Sequence, residues 1–224
     1  SSSLATAADA VLELGAGPEQ AIAATKTYTT QIASLALLAA HAAGVGEEYA
    51  DGIRATAEAA ADAIPELQVR TRDLAVPFAF VGRMFVIGRG IEYATTREIS
   101  LKLLETCRVA AEPLTSTDMI HGPVAALDTF FPVWAIASEE QSLAAVREAA
   151  LRARAAGAAL IASGTSAESI PDADAYLPVP EPPFPLLSPL VTVIPGQLFA
   201  WALAQAKGFD PDRPVGLSKV TLAP

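Results

Sequence analysis

Cysteine is almost missing from this chain: Cys107 is the only one. No internal disulfide can form, and a reducing cytoplasm is the expected compartment. Histidine is nearly as scarce, with only His41 and His121. No His, Cys or carboxylate cluster has the spacing of metal ligands, so neither a metal nor a cofactor is expected. Basic charge is short as well. Fifteen Lys and Arg against 25 Asp and Glu leave a formal charge of −10, which argues against nucleic acid as a partner because phosphate-backbone binding needs a basic surface. A small anion held by helix N-termini and one lysine remains compatible with that balance. No apolar run reaches the ~18 residues of a membrane span without a polar interruption. Ile32 to Gly44 comes closest, and His41 breaks it. There is no basic region followed by an apolar core, so no signal peptide is expected. With no initiating methionine, Ser1-Ser2-Ser3-Leu4 reads as the interior of a longer sequence.

What is abundant is apolar and small. Hydrophobic residues make up 52% of the 224 and the mean hydropathy is +0.37. Much of that is alanine, which favours helix and close helix packing. A large buried fraction is implied, including subunit interfaces. Nothing repeats at a solenoid period.

Helical and apolar segments alternate. Val11 to Leu14 is a strand candidate, and Glu19 to His41 a long helix with Pro18 as its start signal. Two more helices are expected over Glu47 to Ala63 and Glu66 to Leu74, separated at Pro65. Met84 to Ile87 is a strand entering Gly88-Arg89-Gly90. Strands at Phe131 to Ala137, Ala158 to Ala162 and Asp174 to Val179 follow, with a helix from Gln141 to Ala156 between the first two. Leu187 to Lys207 is helical, with a delayed start or kink at Pro189 or Pro195. From Asp210 onward the tail is expected to be an extended wrap. A strand entering a glycine turn and then a helix is the βα unit of a parallel sheet, so the fold class is α/β: a three-layer αβα sandwich.

The stretch from Gly88 to Asp128 carries the chemistry. Glu98, Lys102 and Glu105 are spaced four and three apart, so on a helix they share one face. An acid and an amine held together tune each other's ionisation and suit proton transfer. An exposed face laced with ion pairs has the same spacing. His121 follows in Met119-Ile120-His121-Gly122-Pro123, where glycine and proline fix the backbone around a group that titrates near neutrality. Cys107 reads as a small helix-face residue and His41 as a core or interface residue.

Taken in order, Gly88-Arg89-Gly90, Glu98-x-x-x-Lys102-x-x-Glu105 and His121-Gly122-Pro123 resemble the sugar isomerase (SIS) domains of glucosamine-6-phosphate synthase and of the phosphosugar isomerases and deaminases related to it. Ala24-Thr25-Lys26-Thr27-Tyr28-Thr29-Thr30-Gln31 is similar to that family's S-T-K-x-(F/Y)-T-x-Q helix. Gly208 to Thr221 is similar to its tail, D-x-x-x-P-x-x-L-x-K-x-V-T, with one residue fewer after the lysine.

The resemblance implies a flavodoxin-like SIS topology and a phosphosugar aldose–ketose isomerase or isomerising deaminase, amino-sugar phosphates being the substrate class. By that resemblance Glu105 is the general base between C1 and C2, and Lys102 polarises the substrate oxygens. Glu98 lies beside them, His121 opens the sugar ring from a neighbouring subunit, and Lys219 can bond covalently to an open-chain ketose. Ile22, Ala24 and Ser218 match positions that meet the substrate, Ala24 replacing the usual serine. A homodimer is the expected assembly. Residues 75–224 read as one SIS unit and residues 1–74 as the remnant of another, whose G-T-S turn and S-Q-S-G-x-T phosphate loop do not occur here. Three alternatives stand beside this. One is a sugar-phosphate-binding regulatory module, which need not keep Glu105, His121 and Lys219. Another is the isomerase part of a glutamine–fructose-6-phosphate aminotransferase. The third is an inactive dimerisation body.

Overall fold

The computed structural model describes residues 2–138 and 140–219. Val220 and Thr221 of the tail motif lie outside the described residues. A short helix α1 (Ser3–Ala7) is capped by the Ser2 hydroxyl, which accepts from Ala5 N. Helices α2 (Lys26–Ala42) and α3 (Gly46–Ala75) follow. The remainder alternates β1 (Arg83–Gly88), α4 (Glu92–Cys107), β2 (Ala110–Thr115), α5 (Ser116–Ile120), β3 (Pro132–Ile136), α6 (Glu140–Ala155), β4 (Ala159–Gly164), β5 (Ala175–Pro178) and α7 (Ser188–Ala206).

The five strands form one parallel sheet in the order β2-β1-β3-β4-β5. Strand side chains alternate between its faces. On one face Val86, Trp134 and Ile161 pack with Ile99, Leu103 and Cys107 of α4, Phe199 and Leu203 of α7, and Leu67 and Ala75 of α3. On the other, Ile87, Val133, Ala135 and Leu160 pack with Met119 of α5 and Val146, Ala149 and Ala153 of α6. The result is the expected αβα sandwich. Trp134 is fully buried; its indole N–H donates to Ser163 Oγ at 2.7 Å, and its ring meets Phe199 edge-on at 5.1 Å.

Several local expectations are corrected. Val11 to Leu14 forms no strand. Helix α2 begins at Lys26 rather than Glu19 because the Glu19 carboxylate is its cap: Oε2 accepts from Thr25 N, Thr27 N and Thr27 Oγ1 at 3.3, 3.0 and 2.8 Å. The chain before it turns instead to the tail, with Ile22 N donating to Asp212 O at 3.1 Å. Pro65 does not divide α3, which runs unbroken for 30 residues. One missing backbone donor is outweighed by the burial of Leu67, Thr71 and Ala75 beyond it. Strand β2 was not anticipated because Glu112 and Pro113 sit within it. As an edge strand paired only with β1, it tolerates a proline.

Proline opens α7, with Pro189 in its first turn, and Pro195 lies inside it. Contrary to the expectation that Ile32 to Gly44 comes closest to a membrane span, the 22-residue stretch Pro185–Ala206 is long and apolar enough to cross a membrane by composition. It serves here as the core helix against α3, α4 and the sheet. Gly196 permits the close crossing of α4, since a Cβ there would sit 2.3 Å from Ile99 Cγ1.

Candidate active site

The glycine turn Gly88-Arg89-Gly90 ends β1 and feeds α4, which is held between the sheet and α7. The Glu98, Lys102 and Glu105 stripe is turned inward, contrary to an exposed ion-pair face. Lys102 is 4% exposed and Glu98 8%. Lys102 Nζ lies 2.6 Å from Glu105 Oε2 and 3.6 Å from Glu98 Oε1. One ammonium serves two carboxylates, and among the described residues it is hydrogen-bonded only to Glu105. Glu98 Oε1 accepts no hydrogen bond. Burial pushes the Glu98 carboxyl up to about 7; Lys102 works against that shift and the charge of Glu105 adds to it.

The polar stripe continues toward the start of α4, where sequence reasoning missed it. Glu92 is 1% exposed. Its carboxylate accepts from Thr192 Oγ1 at 2.6 Å, from Thr95 Oγ1 at 2.9 Å and from Ser188 Oγ. These hydroxyls satisfy a buried charge that would otherwise be costly. An acid one turn before Thr95 and nearly two before Glu98 was the available signal, but two of its partners are about a hundred residues away. Tyr28, on α2, faces the same seam. Burial raises its phenol to about 12, with the charge of Glu98 adding to the effect.

At its far end the stripe opens outward. A cavity of about 490 Å³ is lined by Glu105, Leu101 and Arg108 of the α4 end and by Phe209, Asp210 and Arg213 of the tail. Arg108 ends the helix in the left-handed region at φ 54° and lies over the Phe209 ring. A second cavity, about 930 Å³, lies across the tail and is lined by Glu19, Ala21, Ile22, Lys26 and Asp212. Asp210, Arg213, Pro214 and Leu217 border both, so the tail is the partition between them. Lys219 donates to Ala21 O, beside Ile22. Ser218 is exposed next to it, and Ala24 is half-buried, two residues beyond Ile22.

The predicted residues thus fall into three groups. Glu98, Lys102 and Glu105 meet in the α4 stripe. Ile22 lines the larger cavity and Lys219 donates to its neighbour Ala21, with Ala24 and Ser218 close by in sequence. His121 belongs to neither: it caps α5 on the other face of the sheet and is exposed. His41 is not a core residue; it is exposed, with its ring against Gly46 at the α2–α3 turn. Cys107 is buried, donates to Ala200 O at 3.0 Å, and burial pushes its thiol up to about 11, which suits packing and not nucleophilic attack. Among the described residues no three His, Cys, Asp or Glu could together hold a metal.

Residues 78–206 match the SIS domain. The chain is 35% identical over 221 residues to the isomerizing glutamine–fructose-6-phosphate aminotransferase of Pyrococcus horikoshii, covering 97% of this chain and 37% of that protein. Among solved structures, the C-terminal domain of glucosamine-fructose-6-phosphate aminotransferase from Francisella tularensis superposes with a TM-score of 0.76 at 26% identity, covering 88% of this chain and 58% of that one. Glucosamine-6-phosphate deaminase from Thermotoga maritima shares the fold, with a TM-score of 0.68 at 20% identity and 90% and 58% coverage. This chain belongs to the SIS domain family. It spans just over a third of the length of the curated relatives it matches.

Proposed function

We propose that this chain carries the proton-transfer half of a phosphosugar aldose–ketose isomerase or isomerising deaminase, acting on an amino-sugar phosphate. The observation that carries the reading is the buried Glu98-Lys102-Glu105 stripe opening at Glu105 into the cavity beneath the tail. In this reading Glu105 takes the proton from one of the two carbons C1 and C2, leaving an enediol or enolamine, and returns it to the other. Lys102 neutralises the oxyanion that develops meanwhile. The amine of Lys219 would attack the ketose carbonyl, losing water to give an imine that makes the neighbouring proton more acidic. His121 of a second subunit would move the ring-opening proton, which makes a homodimer the working unit. A reducing cytoplasm suits the single buried thiol.

A second reading is favoured by the names of the relatives: the same site as the isomerase part of a glutamine-dependent aminotransferase. One assay separates them. The full-length protein is given fructose 6-phosphate and glucosamine 6-phosphate in turn, with and without glutamine, and ammonia and both hexose phosphates are measured. Ammonia released from glucosamine 6-phosphate supports the deaminase, and amine gained only with glutamine supports the aminotransferase. No conversion of either sugar overturns both.

A further inference from the structure

We propose that Glu98 is a positioning residue that controls Glu105 through the lysine they share, holding it back as a base when the Glu98 carboxyl is neutral and releasing it when that carboxyl is ionised. The inference rests on reading Glu105 as the base.

The geometry is that of one donor contested by two acceptors. Lys102 Nζ is hydrogen-bonded to Glu105 at 2.6 Å and stands 3.6 Å from Glu98 Oε1. That oxygen is buried and accepts nothing. A movement of the ammonium by about 1 Å would bring it within hydrogen-bonding distance. Lys102 is 4% exposed, so water does not readily replace either partner.

Among the described residues no other cation relieves the competition inside the seam. Helix α7, which packs along this side of α4, has no charged or titratable side chain between Ser188 and Ala206. Helix α2 contributes the Tyr28 phenol, which offers no positive charge. Glu92 is occupied by the hydroxyls of Ser188, Thr192 and Thr95. The tail brings Asp210 and Arg213 to the cavity at Glu105, outside the seam.

Two states follow. With Glu98 neutral, Lys102 stays wholly on Glu105 and occupies the oxygen that would receive the substrate proton. With Glu98 ionised, the ammonium is drawn toward its free oxygen and uncovers Glu105 Oε2 for the substrate. The Glu98 carboxyl titrates at about 7, so the exchange falls where a cell can use it.

The test uses the full-length protein with fructose 6-phosphate as probe. The kcat of the parent is expected to fall on the acid side along one limb centred near 7, and Glu98→Gln is expected to lose that limb. A limb that persists in Glu98→Gln overturns the proposal. Infrared spectroscopy of glutamate-labelled protein judges it independently of turnover. A neutral-carboxyl band should disappear as pH rises through about 7, be missing in Glu98→Gln, and move to lower pH in Glu105→Gln, where Lys102 is free to pair with Glu98. No such band, or one unmoved by Glu105→Gln, sinks the proposal. Failure to isomerise any sugar phosphate would instead sink the assignment of function, while the infrared titration would still decide whether the two carboxylates compete for Lys102.

Discussion

Glu105 and His121 lie on opposite faces of the five-stranded sheet. Glu105 stands between Leu103 and Cys107, which pack with Val86 and Trp134 on one face. His121 follows Met119, which packs with Val133 and Ala135 on the other. One copy of the chain cannot bring the two together without unfolding its core. If both act on one sugar, they come from different subunits. Glu105→Gln and His121→Asn proteins, each inactive alone, should then regain activity on subunit exchange, because every hybrid dimer contains one intact site. The expected recovery is about a quarter of the parent rate for random exchange of equal amounts. No recovery after exchange, with mixed dimers demonstrated by mass spectrometry, would remove His121 from a shared site.

Glu98 also sets the sign of a pH effect on stability. Its carboxyl rises from an ordinary value of 4.5 to about 7 on folding. Between those values the folded protein binds a proton that the unfolded chain releases, so this group's contribution to stability falls as pH rises through the window. Glu98→Gln has no such penalty. Chemical denaturation should find the variant little changed near pH 4.5 and more stable than the parent above pH 7, by roughly 2–3 kcal/mol. A variant less stable at high pH would show that the ionised carboxyl is better accommodated than its missing hydrogen bond implies.

Much of the sheet was legible because its strands are short apolar runs closed by turns, as at Met84 to Ile87. The stripe was legible as spacing, but its burial was not. Whether Lys102 faces water or a helix depends on α7, about ninety residues later in the chain. The Val11 strand failed because a short apolar run does not make a strand without a neighbour to pair with. The start of α2 failed because a glutamate seven residues upstream of Lys26 supplies the cap, a reach beyond the usual capping positions. Glu92 was missed for the same kind of reason: its partners Ser188 and Thr192 lie in a proline-flanked segment that reads as plain core.

The crossing of α4 and α7 gives a prediction about the core. A Cβ at Gly196 would stand 2.3 Å from Ile99 Cγ1 and 2.5 Å from Ile99 Cδ1, and Ile99 is fully buried. Helix propensity favours alanine over glycine by about 1 kcal/mol, but overpacking there typically costs roughly 1–3 kcal/mol, enough to reverse the sign. Gly196→Ala should therefore lower the denaturation midpoint, and Gly196→Ala with Ile99→Val should recover part of the loss. Equal or greater stability in the single variant would mean that Ile99 swings aside at little cost.

Lys219 yields the last prediction. Its ammonium is held on Ala21 O, beside Ile22 at the larger cavity, and the Glu19 carboxylate lies close enough to feel its charge. An amine that is to form an imine must leave such a contact and lose a proton before attacking a carbonyl carbon. Borohydride added to the full-length protein with fructose 6-phosphate should reduce that imine to a stable secondary amine and inactivate the enzyme. Peptide mapping should then find the added hexose phosphate on Lys219. Lys219→Arg keeps the charge and the bond to Ala21 but cannot form the imine, so it should neither be labelled nor convert the ketose at more than about a hundredth of the parent rate, at the low end of what a lost covalent or acid–base group costs. Label on another lysine, or full activity in Lys219→Arg, would assign Lys219 to holding the tail against residues 19–22 and nothing more.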